Sequence, residues 1–208
     1  MDAVRPGLRL LAGLLPLWLV ACAVSPPQPP VADAERAWRD RVAELSGRDE
    51  WRLQGRLALA VGEERWNAHM RWDQRDTAYD IRVFGPFGRQ AARLQGDKDG
   101  VVLHTRGGET HRARDVDGLV YHALGWRLPV SGLRYWVLGI PAPRSEPEDR
   151  VLDAAGRASR LRQAGWTVRY QGYDEARRPA LPERMTLEYE EIRLRLVMDD
   201  WRMDHQKP

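Results

Sequence analysis

Side chains able to do chemistry are sparse in this 208-residue chain, and their spacing speaks against catalysis. The five histidines, His69, His104, His111, His122 and His205, form neither an HExxH nor an HxH arrangement, the spacings that bring two imidazoles onto one metal. His104 and His111 flank an expected hairpin loop, where a metal pair is conceivable but solvated strand histidines are the commoner outcome. No GxSxG elbow, phosphate-binding P-loop or GxGxxG turn occurs. The acidic pairs Glu190-Glu191 and Asp199-Asp200 are adjacent in expected strands. The two carboxyls of each pair should therefore point to opposite faces and could not flank one substrate as glycosidase acids do. The expectation is no catalytic residue, no metal and no cofactor.

The chain's one thiol, Cys22, precludes an intramolecular disulfide, so burial alone must hold the core. Its position is more telling. It closes the stretch Leu8 to Cys22 (LRLLAGLLPLWLVAC), which is preceded by Arg5. The apolar part is about a dozen residues, short of the roughly 20 that a hydrocarbon core requires, and Pro16 interrupts it, so a cleaved export signal fits better than a membrane span. Leu19-Val20-Ala21-Cys22 resembles the lipobox of bacterial lipoproteins, in which the thiol is the nucleophilic attachment point for a diacylglyceryl group and becomes the first mature residue. At about 0.8 kcal/mol per buried methylene, more than one acyl chain gives lasting anchorage. Ala23 replaces the aspartate associated with inner-membrane retention, which points to the outer membrane. Residues 1–21 are thus read as a signal peptide and 22–34, Pro-rich and without apolar period, as a lipidated tether. Processing leaves 187 residues with a net charge of about +2, because Arg5, Arg9 and Asp2 depart.

Residues 35–208 carry the pattern of one globular domain, 43% hydrophobic and 30% charged over the whole chain, which excludes disorder and coiled coil. A weak helix, opened by Asp33 and stopped by Ser46-Gly47, leads into period-two alternation. Leu53, Leu57, Leu59 and Val61 share one face, as do Trp66, Ala68, Met70 and Trp72 after a Gly62-Glu63-Glu64 turn. The alternation continues through Tyr79 to Val83, Ala92 to Leu94 and Val101 to Thr105, and resumes in Arg157 to Gln163, Trp166 to Tyr170, Met185 to Tyr189 and Ile192 to Met198. About ten or eleven antiparallel strands result, with two short helices, Asp115 to Leu124 and Ser131 to Leu138, between the halves. Those helices cannot pave so large a flat sheet. The fold class is therefore mainly β, an incomplete antiparallel barrel with a helical lid over a hydrophobic cavity, and a fully packed sandwich is the alternative. Arginines alternating with apolar residues and set beside glutamates read as a solvated sheet face, which disfavours nucleic acid. A positive patch for an acidic protein or anionic head groups stays open.

Gly85-Pro86-Phe87-Gly88, directly after the strand ending at Phe84, resists a packing explanation. The turn residues put Phe87 at a loop tip, where it can either dip into a bilayer, for about 1.5–3 kcal/mol if fully buried, or fold back onto the barrel end. Alongside this loop stand Gly55-Arg56-Leu57-Ala58, Trp72-Asp73-Gln74, Leu128-Pro129-Val130, the run Leu133-Arg134-Tyr135-Trp136-Val137-Leu138-Gly139-Ile140-Pro141, Trp166-Thr167-Val168-Arg169-Tyr170, Tyr173, Leu181-Pro182 and Trp201. In this order and spacing, with the lipobox, they resemble the LolB family of outer-membrane lipoprotein receptors along nearly the whole mature length. The resemblance implies an unclosed barrel that takes lipoproteins from the periplasmic carrier LolA and inserts them into the outer-membrane bilayer. It also implies that a bulky apolar residue in the protruding loop, here Phe87, promotes insertion. On that reading the cargo's acyl chains contact Leu57, Leu59, Met70, Trp72, Ile81, Val83, Leu133 and Trp136, assigned from alternation, and the protein is a monomer. The rival class is an envelope structural or assembly lipoprotein acting through protein contacts.

Overall fold

A computed structural model describes residues 31–203. Cys22, the signal segment and most of the tether lie outside the described residues. The elements are α1 (Val31–Ser46), β1 (Glu50–Val61), β2 (Glu64–Arg75), β3 (Ala78–Phe84), a single 3-10 turn at Pro86–Gly88, β4 (Gln90–Gly96), β5 (Val101–Thr105), β6 (Thr110–Ala113), α2 (Val116–Leu124), α3 (Val130–Trp136), β7 (Asp149–Leu152), β8 (Ala158–Gln163), β9 (Trp166–Tyr170), β10 (Tyr173–Asp174), β11 (Leu181–Pro182), β12 (Arg184–Tyr189) and β13 (Ile192–Met203).

Eleven strands form one antiparallel sheet in the order β6-β5-β4-β3-β2-β1-β13-β12-β9-β8-β7, and β10 and β11 make a separate two-residue ribbon. The terminal strands β6 and β7 do not pair with each other, so the barrel is open. Alternation sets the inner face: Trp51 and Leu53, Met70 and Trp72, Ile81, Leu94, Val101 and Leu103 on one arm, Leu161, Val168, Met185, Leu187, Leu194 and Leu196 on the other, all buried. The first and last strands meet at the middle, where Trp51 packs at a tilt against Trp72 and edge-on against Trp201, with ring centroids 5.1 and 5.4 Å apart.

The register of β1 on β13 shifts between Gln54 and Gly55, so Gln54 faces Asp200 and Gly55 faces Met198. This bulge corrects the expectation for Asp199 and Asp200. One extra residue puts both carboxylates on the solvent side, where Arg56 bonds Asp199 (2.8 Å) and Arg202 bonds Asp200 (3.4 Å). Glu190 and Glu191 likewise occupy the exposed turn between β12 and β13, Glu190 at φ 50°, instead of alternating within a strand. At the bulge a Cβ on Gly55 would lie 2.3 Å from the Val197 carbonyl oxygen. Gly55→Ala is expected to lower stability by about 1–3 kcal/mol, read as the shift of the urea midpoint at unchanged slope.

Helix α1 begins four residues earlier than the expected domain start, converting 31–34 from extended tether to helix; the last proline of the run is Pro30 and alanines follow. It buries Trp38 and Leu45. It approaches the β7–β8 turn so closely that a Cβ on Gly156 would meet Ala34 O and Ala37 Cβ at 2.6 Å. Arg41, also buried, donates to the Leu138 carbonyl (3.0 Å) and lies over the Tyr173 ring at 5.2 Å, fastening α1 to the segment that follows α3. Burial lowers the pKa of this guanidinium from its ordinary value.

Candidate functional site

Helices α2 and α3 roof the inner face at its open side. Asp115 caps α2 by accepting from Gly118 N at 2.6 Å, and Gly125 at φ 77° ends it with its N–H on the Tyr121 carbonyl. Leu119 and Val120 are buried, α2 lying on β5 and β6. Asp117 accepts from Ser131 N at 3.0 Å and from Ser131 Oγ, joining the two helices.

Three connections hold the roof to the far arm and to the β1–β2 hairpin. Gln163, fully buried at the end of β8, accepts from Trp136 Nε1 (2.7 Å) and Ala142 N (2.9 Å) and donates to the carbonyls of Ala142 (2.7 Å) and Ser145. Every hydrogen-bonding valence of this amide toward α3 and the strap behind it is thereby used. Tyr170 donates its hydroxyl to the Trp136 carbonyl at 3.1 Å, and Trp126, in the α2–α3 connection, packs on Trp66 with centroids 4.3 Å apart. Burial raises the Tyr170 phenol well above its ordinary pKa, so it remains a donor.

Beneath the roof lies a cleft of about 750 Å³, within the size range that holds a small ligand. Trp72, Tyr79, Tyr135, Trp136 and Trp166 form its walls, while the exposed side chains of Asp97, Lys98, Arg127 and Arg144 edge it. Burial, with smaller contributions from Asp117 and Asp115, pushes the Tyr79 phenol up to about 12. The lining mixes these aromatics with aliphatic side chains, Val101, Val116, Leu128 and Val130 among them, and with polar ones. The roof adds Leu119, Val120, Leu133 and Trp136 to the core.

The residues assigned from alternation divide accordingly. Trp72 and Trp136 line the cleft. Leu59, Met70, Ile81 and Leu133 are buried in the packed core, and Leu57 and Val83 lie half-buried against it. Gln163, Asp117 and Ser131 hold the roof without having been singled out, and Tyr170 was marked only as part of the Trp166 to Tyr170 run; the Leu-Arg-Tyr-Trp run marked α3 but carried no sign of its partner amide. His104 and His111 fall on opposite faces of the β5–β6 hairpin, with His104 Nδ1 3.0 Å from Thr110 Oγ1 and His111 Nε2 3.4 Å from Glu109. Among the described residues, no three His, Cys, Asp or Glu side chains gather as metal ligands would.

The second feature is the loop after β3. Gly85 N donates to Arg89 O (2.9 Å) and Gly88 N to Gly85 O (3.2 Å), closing a turn with Phe87 at its tip. Phe87 is 100% exposed. It does not fold back, and its backbone stands at φ 66°, ψ 19°, the left-handed region that costs a non-glycine residue roughly 1–2 kcal/mol. An apolar side chain is thus held in water by a strained turn.

Next to this loop, on the outer face, Asp80 receives two bonds each from Arg93 (3.1 and 2.6 Å) and Arg82 (3.3 and 2.8 Å). Partial burial works to raise its pKa, but the bonds from Arg93 and Arg82 outweigh this and hold it at about 2. A depressed folded-state pKa contributes stability above the unfolded value of about 3.9 that is lost as pH falls through about 2. Asp80→Asn is therefore expected to flatten the fall in urea midpoint between about pH 4 and 2.

The family model described as Outer membrane lipoprotein LolB matches residues 49–201. A protein named Outer-membrane lipoprotein LolB from Nitrosococcus oceani is 40% identical over 204 residues, covering 98% of this chain and 97% of its own. One of the same name from Alkalilimnicola ehrlichii is 38% identical over 198 residues, covering 95% and 98%. Among solved structures, a LolA-superfamily protein from Nitrosomonas europaea is similar with TM-score 0.49 and 10% identity, covering 84% of this chain and 95% of that one.

Proposed function

The chain belongs to the LolB family, and from that premise we propose that it is an outer-membrane lipoprotein receptor that accepts lipoproteins from the carrier LolA and inserts them into the bilayer. Acylated Cys22 anchors it there, and the Pro-rich segment lets the domain stand off into the periplasm.

The observation that carries this reading is the roof. An eleven-strand apolar face is covered by helices of only 9 and 7 residues, attached through a few polar bonds. Lifting those helices opens the packed interior as a groove shielded from water. Acyl chains entering it take the place of Leu119, Val120, Leu133 and Trp136 over the apolar inner face, to which Leu57, Leu59, Met70, Trp72, Ile81 and Val83 belong. One apolar contact is then exchanged for another, and little apolar surface meets water on the way. No catalytic group or nucleotide is needed, because transfer runs downhill if each acceptor binds the acyl chains more favourably than its donor, and each 1.4 kcal/mol of difference is a tenfold bias. Phe87 then enters the acyl region and lowers the barrier to releasing the chains into the bilayer.

The test is transfer of a radiolabelled lipoprotein from its soluble carrier to this protein. Stoichiometric acceptance is expected. A protein that takes up no cargo and instead co-purifies with envelope proteins would place it in the structural class.

A further inference from the structure

We propose that the outer face of β2 to β5, beside the Phe87 loop, binds the anionic head groups of the phospholipid bilayer. This rests on the reading that Phe87 enters that bilayer. Arg71, Arg82, Arg93 and His104 stand directly opposite one another on successive strands, a row crossing the sheet. They face outward, since their neighbours Trp72, Ile81, Leu94 and Leu103 point into the core. Like charges directly opposite each other weaken a sheet, and here Asp80 bonds Arg82 and Arg93 while Asp73, opposite it, is paired with Arg52. Arg71 is exposed and, among the described residues, has no carboxylate partner, only the face of Phe84 at 5.6 Å. Arg89, two residues past Phe87, is exposed as well.

Elsewhere on the outer face Arg56 pairs with Asp199 and Arg160 with Asp149, while Arg169 and Arg193 share Glu188 and Arg195 has no carboxylate partner among the described residues. Both arms thus carry a cationic surplus, and the one on β2 to β4 lies on the strands that carry the loop. Its placement suits a membrane. Arg82 precedes Phe84 by two residues, about 7 Å along the strand, and the loop leaves from Phe84. An aromatic ring in the acyl layer would bring the guanidiniums to the depth of the phosphates, since interfacial apolar groups sit about 5–10 Å into the headgroup boundary. Charge complementarity then orients the anchored domain loop-down.

The test uses the mature lipidated protein in vesicles of phosphatidylcholine alone or with added phosphatidylglycerol. Cys22 is the only native cysteine and is acylated, so Gln95→Cys, on the outer face, and Phe87→Cys each take one fluorophore. With phosphatidylglycerol, a headgroup-borne quencher is expected to reach the position-95 label, and 0.5 M salt or Arg71→Gln/Arg82→Gln/Arg93→Gln/Asp80→Asn to abolish the effect. Arg71→Gln, which leaves the Asp80 bonds intact, should shift the loop-down population about fivefold, the contribution of one membrane-adjacent basic residue. Equal quenching in neutral vesicles, quenching that survives the charge removal, or a label quenched in neither vesicle because the face meets protein instead, overturns the proposal. If the position-95 label approaches anionic vesicles while the position-87 label stays in water, the head-group site stands and the insertion role of Phe87 fails.

Discussion

Phe87→Glu leaves acceptance of cargo from the carrier unchanged and lowers its insertion into the bilayer by at least about tenfold. The wild-type ring contributes about 1.5–3 kcal/mol on entering an apolar phase. A carboxylate at the same tip must instead be desolvated or neutralised, so the swing exceeds the roughly 1.4 kcal/mol that corresponds to one decade. The acceptance step is untouched because Phe87 makes no contact with the core, being wholly exposed. Phe87→Leu, equally apolar, retains most of the insertion. Phe87→Gly separates strain from function: it relieves the φ of 66° and should hold or raise the urea midpoint while insertion is lost. The measurement is a two-stage assay, carrier to receptor and receptor to vesicle, in which a variant accumulating receptor-bound cargo is distinguished from one that never takes it. A Phe87→Glu protein that inserts at the wild-type rate removes the loop from the mechanism without touching the roof.

Gln163→Leu is the second large effect, expected to cost about 3–5 kcal/mol of stability. The substitution keeps the volume and removes both ends of the amide, so Trp136 Nε1, Ala142 N and the carbonyls of Ala142 and Ser145 lose their partners together. A buried group left unpaired costs about 1–3 kcal/mol, and the strap can recover some of this by turning to water. Because all four bonds tie the roof to β8, the loss falls on the roof before the sheet. At a temperature where both proteins are folded, the variant should bind a fluorescent fatty acid more tightly than wild type, since less of the binding free energy is spent lifting α3. A lower midpoint with unchanged fatty-acid affinity would make Gln163 a core residue and nothing more.

Period-two alternation made nearly the whole sheet legible, because a half-buried antiparallel strand writes its burial directly into the sequence. Strand β7 escaped because only Val151 and Leu152 are apolar and neither is buried. The ribbon of β10 and β11 is two residues a side and includes Pro182, too short for any period. The bulge opposite Gly55 reversed the side of Asp200, since one inserted residue is invisible to counting. At the site, the loop was readable because Gly, Pro and Gly leave an aromatic with nowhere to pack. The roof's attachments were not, because Gln163 meets Trp136 from 27 positions away and a lone glutamine in a strand carries no mark of its partner. Which apolar residues face the cleft and which face a helix was not legible for a related reason, since that depends on how the roof seats.

The pairing of β1 with β13 at the centre of the sheet brings together residues such as Arg56 and Asp199 that are 143 positions apart. Each arm is a local meander, but the seam between them cannot form until the final strand is available. Bringing such distant segments together is entropically slow. A chain threaded through an export channel amino end first would therefore keep its two arms unjoined throughout passage and complete the apolar vault only on the far side. Removal of β13 (Ile192–Met203) would abolish the seam, leaving two half-sheets in place of one shorter barrel.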